Sequence, residues 1–232
     1  MELTYENTSR FAKADGIKIH YHEAGDGPVI IMIPGTTVGA SAWGLNRHNL
    51  EELSKYFRVI LYNPPPIGES DKSINYQGPL AQFYAQILLD FMDALGIAQV
   101  NLFAGTPGVG QIIHLANRHP ERVAKLILQC GPGLGRSMFT PPPTEGSRLS
   151  GEVRKDINYE NVLELMKSMI PRDDHRTEEI VMDRYLASVD PSVNEARPRI
   201  TGPREDISAE LPQIAQPTLI IWGIHERDMP LD

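Results

Sequence analysis

Residues 101–114 read NLFAGTPGVGQIIH, and this stretch decides the fold. Residues 100–104 are mostly apolar and short enough for a buried strand. Gly105, Pro107 and Gly108 then punctuate the chain. Residues 109–118 carry apolar side chains at helical spacing and stop before Pro120. Strand, tight glycine turn, helix is one half of a βαβ unit. Thr106 suits a helix cap, and Pro107 suits the first helical position, where its missing N–H costs nothing.

The same rhythm extends on both sides. Residues 17–22 alternate apolar and polar, which predicts a half-exposed strand. The run VIIMI at 29–33 predicts a strand buried on both faces. Residues 34–43 read as a loop and 50–56 as helical, followed by a strand at 58–62. The prolines and glycine of NPPPIGESD mark a second loop. Helical spacing covers 80–95, and 123–129 is again a strand. Beyond CGPGLG the pattern changes to helices at 158–170 and 177–188, and PTLIIW at 217–222 predicts a return to a buried strand. Alternating strands and helices predict an α/β fold with a mostly parallel, doubly wound sheet. Its division is read as a core over 1–136, a helical cap over 137–205, and the continued core over 206–232. The cap is expected over the strand ends, where such sheets bind ligands.

Composition narrows the function. A net charge of −8 argues against nucleic acid, whose phosphates need a basic surface. No apolar run approaches the length of a membrane span. The N-terminal MELTYENTSR is polar and reads as no signal peptide. One cysteine, Cys130, leaves no internal disulfide pair and fits a reducing cytoplasm. No Cys/His cluster has metal-ligand spacing, and no glycine-rich phosphate loop follows the first strands, so neither metal nor other cofactor is expected.

Several stretches together carry a resemblance: GASAW at 39–43, GESDK at 68–72, HPERVAKLIL at 119–128, GRSMFTPPPTEG at 135–146, and LIIWG at 219–223. With them the chain resembles the α/β-hydrolase superfamily, and within it the meta-cleavage-product hydrolases. These cleave a carbon–carbon bond in 2-hydroxy-6-oxo-dienoates during aromatic-ring degradation. The resemblance implies an α/β-hydrolase fold with a helical cap. It also implies a serine nucleophile in a G-x-S-x-G turn, a histidine, an orienting acid and backbone donors for an oxyanion.

This chain departs from that set. Pro107 stands at the nucleophile's position, and Thr106 falls where the family lines its site. In WGIHERDMP the acid's position is Glu226, with Asp228 two residues on. None of the seven histidines matches the family's catalytic one, which is expected on a further segment absent from this chain, together with a C-terminal strand and helices. The amides of Thr36, Thr37 and Gly108 are the expected oxyanion donors. Arg184 falls where the family holds the substrate carboxylate, a task that suits a guanidinium because it grips both oxygens. Leu45 takes the place of a family asparagine, with Asn46 beside it. Asn63 stands where an aspartate is common. Cys130 is read as buried and inert.

The resulting expectation is a diverged homologue without ordinary serine hydrolysis. It binds or converts a small acidic, dienoate-like molecule between Arg184 and the amides, with self-association into a homo-oligomer compatible. Three alternatives stand beside it: changed chemistry (tautomerase, lyase or cyclase) on Glu226 or Asp228, an incomplete chain of a carbon–carbon bond hydrolase, and a non-catalytic structural or regulatory protein.

Overall fold

The computed structural model describes residues 2–35, 37–105, 107–131, 143–203, 205 and 207–230. Its frame is a seven-stranded sheet. The strands are β1 (Ser9–Ala14), β2 (Ile17–Ala24), β3 (Val29–Ile33), β4 (Arg58–Tyr62), β6 (Val100–Gly105), β7 (Val123–Gln129) and β9 (Thr218–Ile221). Two short strands, β5 (Tyr76–Gln77) and β8 (Ile200–Thr201), pair separately. The large sheet runs β1-β2-β4-β3-β6-β7-β9. From β4 to β9 every pairing is parallel, whereas β1 and β2 join antiparallel. The sheet is thus mostly parallel, with an antiparallel ribbon at one edge.

Helices cover both faces, as parallel strands buried on two sides require. On one face α3 (Leu80–Ala94) and α4 (Gly108–Arg118) pack Leu88, Phe91 and Ile112 against Ile31, Ile60 and Leu102. On the other, α2 (Ala42–Leu53) packs Ala42 and Leu50 against Ile30, Met32 and Leu61. After β7, helices α5 (Glu145–Lys155), α6 (Tyr159–Met169), α7 (Glu178–Ser188) and α8 (Pro191–Ala196) follow without an intervening strand. Three of them form their own apolar cluster around Val153, Val162, Leu165 and Val181, into which Val38 of the first loop inserts. A four-residue helix, α1 (Tyr5–Thr8), opens the chain. No helix among the described residues is long and apolar enough to cross a membrane.

Three local expectations are corrected. Strand β2 is not half-exposed along its length: of its polar positions Lys18 is exposed, but His20 and His22 are fully buried. The rings of Tyr5 and Trp43 cover that face. Helix α2 begins at Ala42 rather than at residue 50, because the Ser41 side chain accepts the Gly44 N–H and starts it inside the expected loop. Strand β9 is not buried: Leu219, Ile220 and Ile221 are all exposed, since β7 pairs with it on one side and no described element covers its faces. At the start of helix α4, Pro107 has φ −59° and ψ −23°, already helical values, and Thr106, the cap expected from sequence, lies outside the described residues.

Candidate functional site

The parallel strands β3, β6, β7 and β9 end on one side of the sheet, and their following loops meet helices α6 and α7 there. Between them lies a cavity of about 260 Å³. Its sheet wall is formed by Pro34 and Gly35 after β3, Gly105 at the end of β6, and Gln129 and Cys130 at the end of β7. The loop after β9 contributes Glu226 and Asp228, α6 contributes Met166 and Met169, and α7 contributes Arg184. This is the crevice in which open α/β sheets place their ligands.

Arg184 is the main cation of the cavity and is only 4% exposed. Its Nη2 donates to Thr37 Oγ1 at 2.9 Å, while Nε and Nη1 have no hydrogen-bond partner. Burial, with Arg197 adding to it, pushes the guanidinium down to about 10. It still carries its charge at neutral pH. Helix α7 can bring it so deep because of Gly39 in the first loop. Gly39 has φ +69°, and a Cβ there would collide with Ser188 Oγ and the Arg184 carbonyl. Only glycine combines that conformation with that approach.

The loop after β9 is tightly fastened. Glu226 Oε1 accepts the N–H groups of Asp228 at 2.8 Å and Met229 at 3.3 Å. Trp222 Nε1 donates to the Met229 carbonyl, and Gly146 of α5 donates its N–H to the Arg227 carbonyl. Glu226 is therefore positioned by the loop's own backbone. Asp228 is 7% exposed, and its Oδ1 has no partner. Burial first, then the neighbouring Glu226 carboxylate, raises its pKa above the usual range. Cys130 is buried with φ +45°, an uncommon conformation for a residue with a Cβ. Burial pushes its thiol up to about 11, with Glu226 and Asp228 adding to the rise, so it is a neutral thiol near pH 7. It is thus a poor nucleophile, since the thiolate is the reactive form.

The structure brings Arg184 and Glu226 to one cavity, as expected from sequence. Of the other candidates that are described, Pro107 and Gly108 stand outside its wall. Thr37 meets the site through its hydroxyl, which supports Arg184. Gly108 is buried, with the Pro34 carbonyl 3.3 Å from where its Cβ would lie, and is not part of the cavity wall. Pro107 is exposed and also outside that wall. Thr36 and Thr106 lie outside the described residues. No histidine lines the cavity: His114 faces Glu210 at 3.5 Å, and His225 is exposed on the loop beside Glu226. Sequence reasoning missed Gln129 as a wall residue, although its place at the C-terminal end of a parallel strand is a usable signal. Asn46 does reach the cavity, with its Nδ2 tied to the Ala42 carbonyl at 3.2 Å.

A mostly parallel sheet with helices on both faces, a helix entered directly from the central strand β6, and a crevice at the strand ends define an α/β hydrolase. The family model described as alpha/beta hydrolase fold matches residues 28–161. Within that superfamily the chain belongs to the meta-cleavage-product hydrolases. It is 33% identical over 97% of its length to a 2-hydroxy-6-oxononadienedioate/2-hydroxy-6-oxononatrienedioate hydrolase of Klebsiella pneumoniae, covering 82% of that protein. It is 32% identical over its whole length to a 2-hydroxy-6-oxo-6-phenylhexa-2,4-dienoate hydrolase of Comamonas testosteroni, covering 84% of it. Among solved structures, a meta-cleavage product hydrolase from Pseudomonas fluorescens, in complex with acetates, superposes with a TM-score of 0.80 at 26% identity. The match covers 96% of this chain and 82% of that one.

Proposed function

We propose that this protein binds a small organic acid of the dienoate type in the cavity at the strand ends, without ordinary serine hydrolysis. Arg184 carries the reading. A guanidinium buried to 4% exposure with two nitrogen positions unpartnered is costly unless an anion completes it. The relatives named above act on dienoates, and the Pseudomonas structure holds acetates, which are carboxylates. Helices α5 to α8 are read as a cap that closes the cavity from above, and a cytoplasmic setting fits the buried free thiol. Pro107 at the nucleophile's position is the ground for setting serine hydrolysis aside. Calorimetric titration with a non-cleavable dienoate tests the reading. Binding is expected for the native chain, weakened at least roughly tenfold in Arg184→Ala, because a charge-assisted hydrogen bond contributes about 1.5–3 kcal/mol. Absence of heat with the native chain overturns it.

A second reading is favoured by the two carboxyl groups, Glu226 and Asp228, on the same cavity. Paired acids held in different environments suit proton transfer, which supports a tautomerase-type activity on dienolates. A spectral change of a dienolate above the buffer rate at pH 5–9, abolished by Glu226→Gln, is the expected outcome.

A further inference from the structure

Asp228 has a role that the superfamily's triad does not supply. Its carboxyl group is 7% exposed, lines the cavity, and leaves Oδ1 without a hydrogen bond. It reaches this seat because α5 presents Gly146 to it: a Cβ there would stand 2.7 Å from Asp228 Cβ and 2.9 Å from Oδ1. Arg184 shares the cavity but forms no ion pair with it, although both side chains have unsatisfied atoms. Two buried polar groups on the wall of one cavity that do not satisfy each other call for a further partner.

We propose that Asp228 is a second anchor of this cavity: its carboxyl group donates a hydrogen bond to an oxygen of the organic acid whose carboxylate Arg184 holds. This rests on the reading of Arg184 as the carboxylate anchor. The groups that face Asp228 are Glu226 on its own loop, Arg184 on α7, Arg154 on α5 and the Cys130 thiol at the end of β7. Burial and Glu226 favour the neutral carboxyl, while the two arginines oppose them; the net shift is upward. A neutral carboxyl is a donor, and among the described residues Oδ1 has no hydrogen-bond partner. Within the dienoate class proposed above, Asp228 then selects acids with a second oxygen acceptor over those ending in plain hydrocarbon. A site built to bond such an oxygen rejects the analogue lacking it, because its own polar group is then stranded.

The test compares 6-oxoheptanoate with heptanoate by calorimetry between pH 5 and 9. The native chain is expected to bind the oxo acid at least about tenfold more tightly. Its affinity for the oxo acid should fall as pH rises and Asp228 ionises, because the carboxylate then repels the ligand and no longer donates. Asp228→Asn keeps an N–H donor of the same shape, so it retains the preference but loses the pH dependence. Asp228→Leu loses both while still binding heptanoate. Equal affinity of the native chain for the two acids overturns the proposal, as does a pH profile that Asp228→Asn leaves unchanged. If neither acid binds the native chain, or Arg184→Ala binds both undiminished, the fault lies in the Arg184 reading and the proposal falls with it.

Discussion

Pro107 shows how much one residue settles. A nucleophile elbow is a strained turn that lifts its side chain above the sheet. Pro107 instead has φ −59° and ψ −23°, ordinary helical values, and it points to solvent outside the cavity wall. Gly108 beyond it is packed under the Pro34 carbonyl. A hydroxyl at this position stands outside the cavity wall, among whose described residues there is no histidine. Pro107→Ser alone is therefore expected to give no acyl-enzyme burst with an activated ester, and a burst would show that the turn can still form the elbow. At this scale the sequence was informative where a side chain acts by its position along the chain. Arg184 and Glu226 were legible from their motifs, and both reach the cavity. Asp228 was visible as an acid, but not as an unpartnered one. That property depends on Gly146, which stands 82 positions away on α5 (228 − 146 = 82), and no spacing rule links the two.

Strand β2 makes the element-scale case. Its alternation, IKIHYH, predicts a polar face in water, yet His20 and His22 are fully buried. The hydrogen bonds explain how they are tolerated. The Ala42 N–H needs an acceptor and finds Asn63 Oδ1 at 2.8 Å, so Asn63 Nδ2 faces His20 Nδ1 at 2.9 Å and donates to it. The His20 proton then sits on Nε2, 3.0 Å from Ser9 Oγ. In the same way Thr8 Oγ1 donates to the Thr4 carbonyl and accepts from His22 Nδ1, which leaves His22 Nε2 bare and unpartnered. Both rings are held neutral. Burial lowers the pKa of each. At His20 the Glu69 carboxylate opposes it while Lys18 and Lys72 add to it; at His22, His20 adds to it and the pKa falls to about 3. The unfolded chain then takes up these protons first as the pH falls. Stability is complete above about 6.5 and declines below it, by about 1.4 kcal/mol per pH unit for each histidine that stays neutral in the folded state. Calorimetric melts should therefore drop steadily from pH 7 to pH 5. Asn63→Asp keeps an acceptor for Ala42 and gives His20 Nδ1–H one too. The His20 titration followed by NMR should move up and the acid loss become shallower; an unmoved midpoint would refute the assigned tautomer.

At the scale of the whole molecule, the alternation of strands and helices was enough for a mostly parallel sheet with helices on both faces. It did not reveal the antiparallel β1, because SRFAKA has too little apolar content to read as a strand until β2 pairs with it. It also misplaced β9: LII reads as core, but burial depends on neighbours, and among the described strands only β7 adjoins it. What joins the helical layer to the sheet is a small number of close approaches. Arg47 of α2 pairs with Glu179 and Asp183 of α7, Val38 inserts among α5 to α7, and Gly39 lets α7 settle on the first loop. The bridge to Glu179 contributes modestly because that acid is exposed. The glycine contact is the stronger constraint, and it can be isolated. Gly16 has φ +86° with nothing within 4 Å of a built Cβ, whereas Gly39 has φ +69° and runs into Ser188 and Arg184. Gly16→Ala costs only the left-handed backbone, about 1–2 kcal/mol. Gly39→Ala adds an overpacking term of about 1–3 kcal/mol. Denaturant melts should show the larger loss at Gly39, and carboxylate affinity should fall in that variant alone, because lifting α7 withdraws Arg184 from the cavity. Equal losses at the two glycines, with affinity intact in both, would mean that α7 is held to the sheet by something other than this contact.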